Sequence, residues 1–367
     1  MNCMDLKLIE GILPTQDIHD LIKAGRVSSP VPYAEDQIQP ASIDLRLGAV
    51  AHRLRASFLP GASRTIQERL RTVCLHTIDI THGAVLETGA VYLVPLLESL
   101  YLPDWLSASA NPKSSTGRID VFTRVITDYG VEFDKVRAGY HGPLYLEICP
   151  KTFPILVRPG SRLSQLRFRA GAPKWSDKEM TRLHSRAKLV DGEANIAGGV
   201  GLTVDLDGDD GLIGYRAKRH CGVIDVDRKA AYGVDDFWEP VRRRRVGEGF
   251  ILDPDEFYIL ASREAVHVPA SHAAEMVPYN PLVGEFRVHY AGFFDPGFGA
   301  KEAGGLGSRA VLEVRSHDVP FILEHGQIVG RLIYERLTAR PETLYGEGLG
   351  SNYQRQGLKL SKHFHSV

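Results

Sequence analysis

The sequence predicts a mainly β fold, two tandem copies of one β-barrel or jelly-roll domain with a few short helices. Three observations predict it. The 367 residues suit two domains. The chain repeats itself at a separation of 166 residues. Within each copy, short runs rich in β-branched and aromatic residues are punctuated by Gly, Pro and Asp, as in a sandwich or barrel.

The repeat is read at several points in step. Leu86 to Pro95 lies over Leu252 to Ala261, with Val91, Tyr92 and Leu93 on Phe257, Tyr258 and Ile259. Leu102-Pro103 lies over Val268-Pro269, and Leu146-Glu147-Ile148 over Leu312-Glu313-Val314. Pro154 to Gly160 lies over Pro320 to Gly326, after which Leu163, Leu166 and Phe168 meet Val329, Leu332 and Tyr334. Chance agreement is common among apolar strands. A constant separation that also keeps Pro154/Pro320, Gly160/Gly326 and Glu147/Glu313 in step marks a duplication.

The elements follow in chain order. Residues 1–170 form the first copy, with strands at Val91–Val94, Leu144–Ile148 and Phe153–Val157. A helix is expected from Thr15 to Ala24, where Ile18, Leu21 and Ile22 make an apolar face and Gly25 stops it. Residues 171–200 read as a linker, broken by Gly-Ala-Pro at 171–173 and by Gly198-Gly199. It carries a short helix opening at Ser176, with Glu179 completing a capping box. Residues 201–340 form the second copy, and 341–367 a C-terminal tail.

Composition narrows the function. Forty-four Lys and Arg against 45 Asp and Glu leave a net charge of −1, without the basic excess of a nucleic-acid or membrane-surface binder. A small anionic ligand needs only a local basic pocket. Cys3, Cys74, Cys149 and Cys221 form no C-x-x-C pair, which argues against a structural zinc site or a disulfide scaffold. The start, MNCMDLKLIE, lacks a signal-peptide pattern, and no run approaches the roughly 18 apolar residues of a membrane span. A cytoplasmic protein with reduced thiols is expected.

Three motifs carry candidate chemistry. Asn111-Pro-Lys-Ser-Ser-Thr-Gly-Arg118 offers two cations, several hydroxyls and a glycine. Such a loop can wrap an oligophosphate through Lys113, Ser114, Ser115, Thr116, Gly117 and Arg118, although a solvated turn looks similar. It lacks Walker A spacing. In Gly139-Tyr-His-Gly-Pro-Leu-Tyr-Leu-Glu147 the glycines turn into a strand, where Leu144, Leu146 and Ile148 share one face and Tyr145 and Glu147 the other. Glu147 is either a solvent-facing residue or a general acid/base lining a pocket. The tail Tyr345-Gly-Glu-Gly-Leu-Gly-Ser-Asn352-Tyr353-Gln-Arg-Gln356 reads as a floppy end or as a lid that closes on a ligand.

Together these motifs resemble the dCTP deaminase family, within the wider dUTPase-like fold. Gln39-Pro-Ala-Ser-Ile-Asp-Leu-Arg-Leu-Gly48 resembles that family's early strand, and Lys113 to Arg118 its phosphate loop. Gly139 to Glu147 resembles its catalytic strand, and Pro159-Gly160 to Gln165 the strand after it. Tyr345 to Gln356 resembles its closing segment. The length, with two repeats, resembles that of a long bacterial form of that family.

The resemblance implies hydrolytic deamination of dCTP to dUTP and ammonia, supplying dUTP for dTMP synthesis. Glu147 is implied as general acid/base, with Ser114 and Arg118 as its catalytic partners. Lys113, Ser115, Thr116, Gly117, Asp295, Glu313, Tyr345, Asn352 and Gln356 are implied in binding substrate. The water would be held by Ser114, a backbone carbonyl and Glu147. Mg²⁺ is implied on the substrate triphosphate rather than in a protein cage. Zinc is not expected, because the H-x-E and P-C-x-x-C signatures of zinc deaminases are missing from the sequence. Self-association into a trimer or a hexamer is implied.

The two copies divide the motifs unequally. The first has Thr116-Gly117 where the family often has Leu-Ala, and Phe133-Asp134-Lys-Val-Arg-Ala-Gly139 where an Ile-Asp-Pro-Gly turn is expected, as if residues were inserted. The second keeps Asp295-Pro-Gly but has Tyr279 to Gly284, without a cation, in place of the phosphate loop. A composite site using both copies, from one chain or from neighbours, is one expectation; a purely structural second copy is the other. Two rival functions stand beside deamination alone. One is a dUTP diphosphatase, or a bifunctional enzyme making dUMP. The other is a non-catalytic nucleotide-binding or assembly protein.

Overall fold

A computed structural model describes residues 9–171, 173, 176–243, 249–278, 286–288, 292–316, 318–346, 353–354 and 356–366. The architecture is mainly β, as the alternating apolar pattern predicts, and it divides into two units.

The first unit takes residues 1–173 together with 222–229 and 337–342. One sheet runs in the order Lys135–Val136, Leu106–Pro112, Arg162–Ala170, Ser42–Arg46, Ile38–Gln39. The other runs Val121–Thr127, His141–Pro150, Val91–Tyr101, Val50–Leu54, Cys74–Asp79. The segments 222–229 and 337–342 depart from the boundaries expected from sequence. Ile224–Asp225 adds a parallel strand beside Ile155–Val157, and Arg158 grips Asp225 through two hydrogen bonds of 2.8 and 2.9 Å. Thr338 donates to buried Asp17 at 2.7 Å.

The second unit takes residues 174–221, 230–336 and 343–367. Its sheets run Val200–Thr203, Ile328–Arg336, His272–Pro278, Phe293–Phe294, and Trp238–Arg242, Leu212–Ala217, Phe257–Val266, Ser308–Ser316, Phe286–Val288. Its core gathers Leu202, Tyr258, Leu260, Leu312, Leu332 and Tyr334 with their neighbours. The helix Asp177–Ala187 belongs to this unit and carries the capping box read from Ser176 and Glu179.

Strand register confirms the duplication residue by residue. Glu147 pairs with Leu93, and Glu313 with Ile259. Ile155 pairs with Leu86, and Phe321 with Leu252. Leu166 pairs with Ala110, and Leu332 with Met276. The buried Tyr92 hydroxyl accepts from the Glu87 N–H at 3.1 Å, and Tyr258 does the same for Asp253 at 3.2 Å. Every pair keeps the separation of 166. Earlier in the copies the separation shortens. Leu166 also pairs with Ile43, and Leu332 with Val200, a separation of 157.

The helix expected at Thr15 to Ala24 spans Thr15–Lys23, and the Gly25 N–H bonds to Ile22 O beyond it. The helices Val234–Phe237, four residues long, and Ile66–Val73 have no counterpart in the reading of the sequence; the latter lies beside the Glu147 strand. It is eight residues long, too short for apolar periodicity to stand out. Among the described residues no helix is long and apolar enough to cross a membrane.

Candidate active site

The loop at 113–118 forms where a strand must stop. Pro112 ends Leu106–Pro112, since proline has no N–H to continue a ladder. The Lys113 N–H bonds to Leu163 O at 3.0 Å, and one helical turn follows over Ser114–Gly117. The N–H groups of Thr116, Gly117 and Arg118 close that turn on Lys113 O and Ser114 O. These N–H groups are therefore engaged within the turn itself. Ser115, Thr116 and Arg118 are buried, while Lys113 and Ser114 remain half-buried. Lys113 forms an ion pair with buried Asp44, whose same oxygen lies 3.7 Å from Arg162. Asp44 thus holds two cations at the loop.

Glu147 lies on the strand His141–Pro150, between Arg124 on one neighbouring strand and Leu93 on the other. It is 2% exposed. Alternation puts Tyr145 and Glu147 on one face, as expected, and Tyr145 packs there with Phe58, Ile66, Leu70 and Leu93. The Ser57 hydroxyl donates to Glu147 Oε1 at 2.9 Å. Oε2 is buried without a hydrogen-bond partner. Burial raises the Glu147 carboxyl above its ordinary range, while Ser57, the charge of Arg124 and the Phe58 N–H oppose the rise. Such a carboxylate can take a proton and return it within one catalytic cycle. The 113–118 turn leads directly into Val121–Thr127, the strand that pairs with the Glu147 strand.

The remaining candidates lie in the second unit. Asp295 is buried in a turn whose Phe298 N–H returns to Asp295 O at 3.0 Å. The Tyr345 N–H bonds to Pro296 O at 2.8 Å, and the Tyr345 ring sits 5.6 Å from that of Phe298. Gln354 donates to Gly297 O at 3.2 Å and accepts from the Gly299 N–H at 2.9 Å. Buried Gln356 donates to Arg309 O at 2.9 Å. Tyr345 and Gln354 are thus packed on the Asp295 turn, while Gln356 bonds to the Ser308–Ser316 strand. Glu313 is buried on Ser308–Ser316. Asn352 and the Tyr279 to Gly284 segment lie outside the described residues.

The turn also answers the question of inserted residues. Lys135 pairs with Ser109 as Phe293 pairs with Glu275. The Leu102 N–H bonds to Tyr140 O as the Val268 N–H bonds to Phe298 O. Arg137-Ala-Gly-Tyr140 therefore occupies the place of Asp295-Pro-Gly-Phe298 without an insertion. Gly139 and Gly297 both have positive φ, 69° and 95°, a region that favours glycine. The first copy has Arg137 where the second has Asp295.

Ser57, Phe58, Asp44, Arg124 and Arg162 were not singled out from sequence. Asp44 lay within a quoted motif, and Thr65 with Glu68 spells a capping box that could have announced the helix beside Phe58. Nothing local marks Ser57, which meets Glu147 across 90 residues of chain. Among the described residues no group of three or more His, Cys, Asp or Glu side chains is placed to hold a metal ion.

Comparison with known proteins bears on both units. Residues 9–172 match the family described as 2′-deoxycytidine 5′-triphosphate deaminase (DCD) N-terminal domain, and residues 176–364 match its C-terminal domain. A crystal structure of 2′-deoxycytidine 5′-triphosphate deaminase from Agrobacterium tumefaciens is 60% identical, with a TM-score of 0.86 over 90% of this chain and 99% of that one. A "dCTP deaminase, dUMP-forming" of Methanoculleus marisnigri is 30% identical over 200 residues, 49% of this chain and 99% of the relative. The protein of the same description from Methanobrevibacter smithii is 29% identical over 196 residues, 49% of this chain and 96% of the relative.

Proposed function

Because the chain belongs to the 2′-deoxycytidine 5′-triphosphate deaminase family, we propose that it hydrolyses dCTP to dUTP and ammonia with Glu147 as proton carrier. The observation that carries this reading is the buried Glu147 carboxylate, with one oxygen held by Ser57 and the other without a partner. In this reading a water attacks C4 of the cytosine ring as Glu147 takes its proton, and Glu147 passes that proton to N3. The C4 hydroxyl then gives up its proton, which Glu147 carries to N4, so that the C4–N4 bond breaks, the C4 carbonyl forms and ammonia leaves. Ser114 orients the water and Arg118 supports Ser114. The proton route runs through side chains alone, consistent with the missing zinc-deaminase signatures.

Lys113, Ser115, Thr116 and Gly117 are proposed at the triphosphate, which brings its own Mg²⁺ as part of the substrate. Lys113 would exchange its contact with Asp44 for phosphate. Asp295, Glu313, Tyr345, Asn352 and Gln356 remain proposed substrate contacts, each testable by its own substitution. Self-association into a trimer or hexamer completes the proposal, and light scattering in solution tests it.

A second reading, in which dUTP is cleaved further to dUMP, is favoured by the names of the two curated relatives. Incubation with dCTP and, separately, with dUTP decides between the two. Ammonia from dCTP with no pyrophosphate from either supports the first reading; pyrophosphate from dUTP supports the second.

A further inference from the structure

The segment between Val50–Leu54 and Cys74–Asp79 roofs the Glu147 face of its sheet. Its residues are fixed at several independent points. The Gly61 N–H bonds to Gly130 O at 3.1 Å, and the Tyr129 N–H bonds to Arg64 O at 3.0 Å. The Ile66 N–H, at the start of the helix, donates to Asp128 Oδ1 at 2.7 Å. Thr65 and Glu68 close a capping box at the same end. Phe58, 8% exposed, packs with Leu54, Ile66, Leu70, Leu93, Ile126 and Tyr145. Ser57 is therefore set in place by anchored neighbours rather than carried on a free loop. Its hydroxyl reaches Glu147 Oε1, and the only polar atom of Glu147 left without a partner is Oε2.

We infer that Ser57 is the positioning residue of Glu147: it fixes Oε1 so that Oε2 alone handles the proton. This rests on Glu147 being the proton carrier. The physical reason is twofold. The Ser57 hydroxyl on one oxygen selects one rotamer of a carboxylate that could otherwise turn. A donor also favours the ionised form, which must accept the proton of water, against the burial that disfavours it. The other groups acting on Glu147 are Arg124 on the neighbouring strand and the Phe58 N–H, which favour its charge, and two that its charge disturbs. These are Asp134, which follows the Arg124 strand, and Cys149, two residues along the Glu147 strand.

The test compares Ser57→Ala, Ser57→Thr and Glu147→Gln in the full chain, by kcat and KM for dCTP across pH and by thermal unfolding. Ser57→Ala should lose about tenfold to a hundredfold in kcat, the range for a hydrogen bond to a charged group, with KM changed less than about twofold. The acid limb of its kcat profile should move to higher pH. Ser57→Thr, which keeps the hydroxyl, should restore both. A Ser57→Ala profile that matches wild type while Glu147→Gln is inactive overturns the inference and leaves the reading of Glu147 intact. Loss of activity in Ser57→Ala with an unmoved limb and a lowered melting temperature also overturns it, since that is a folding effect. Wild-type turnover in Glu147→Gln overturns the reading of Glu147, and the inference with it.

Discussion

Glu147 and Glu313 stand at the same register in their respective sheets, opposite Leu93 and Ile259. Both are buried, at 2% and 5% exposure. The duplication preserved a carboxylate in each copy, but only the first copy pairs it with the 113–118 turn. Glu147→Gln is expected to lower kcat by roughly a hundredfold to ten-thousandfold, the usual contribution of a general acid/base. Glu313→Gln should lower kcat/KM less than about tenfold. Steady-state kinetics on the two variants, each checked for an unchanged melting temperature, makes the comparison.

Lys113 sits half-buried against Asp44. Its ammonium is the more accessible of the two cations in the turn. Lys113→Ala should raise KM for dCTP by about tenfold to a hundredfold, as for a lost charge-assisted hydrogen bond. Its effect on kcat should be smaller. A KM for deoxycytidine that is equally affected would argue against a phosphate contact.

Away from the site, Glu98 is wholly buried and accepts from Arg46 Nε, the Arg46 N–H and Gln37, each at 2.8 Å. Removing it strands the Arg46 charge, which is 5% exposed. Glu98→Ala should cost about 3–5 kcal/mol, the range for breaking a buried pair. The denaturant midpoint of the first unit's transition reports it.

Asp134 accepts from the Val125 N–H at 2.8 Å, and burial pushes its carboxyl up to about 7, above the ordinary 3.8. The fold thus favours its neutral form. The stability tied to this group is fully present below about pH 4 and is lost as the pH rises through about 7. Asp134→Asn keeps the acceptor and removes the titration. Between pH 5 and pH 8 the wild-type melting temperature should fall more than that of the variant, and equal slopes would contradict this.

Much of the fold was legible because strand faces repeat every second residue, and the duplicated copies kept that alternation from Leu86 and Leu252 onward. The early strands were not aligned from sequence. Ser42–Arg46 and Val200–Thr203 share little beyond apolar character, and unequal connections shorten their separation. The Ile66–Val73 helix is two turns long, below the length at which a periodic face declares itself. The candidate residues that the sequence offered all lie on local motifs: the 113–118 turn, Glu147 and, in the second unit, the Asp295 turn. Ser57, Arg124 and Arg162 act through pairings between distant parts of the chain, which no local pattern encodes. Arg137 went unread as the partner of Asp295 because Lys135–Val136, the strand that fixes its position, is only two residues long.

The central claim is that this chain removes ammonia from dCTP and leaves the triphosphate whole. Quantifying ammonia, dUTP and pyrophosphate in one reaction of the purified full-length protein with dCTP tests it most directly. Equal amounts of ammonia and dUTP, with no pyrophosphate, are the predicted result. Pyrophosphate released in step with ammonia would contradict dUTP as the product, and no ammonia at all would contradict deamination.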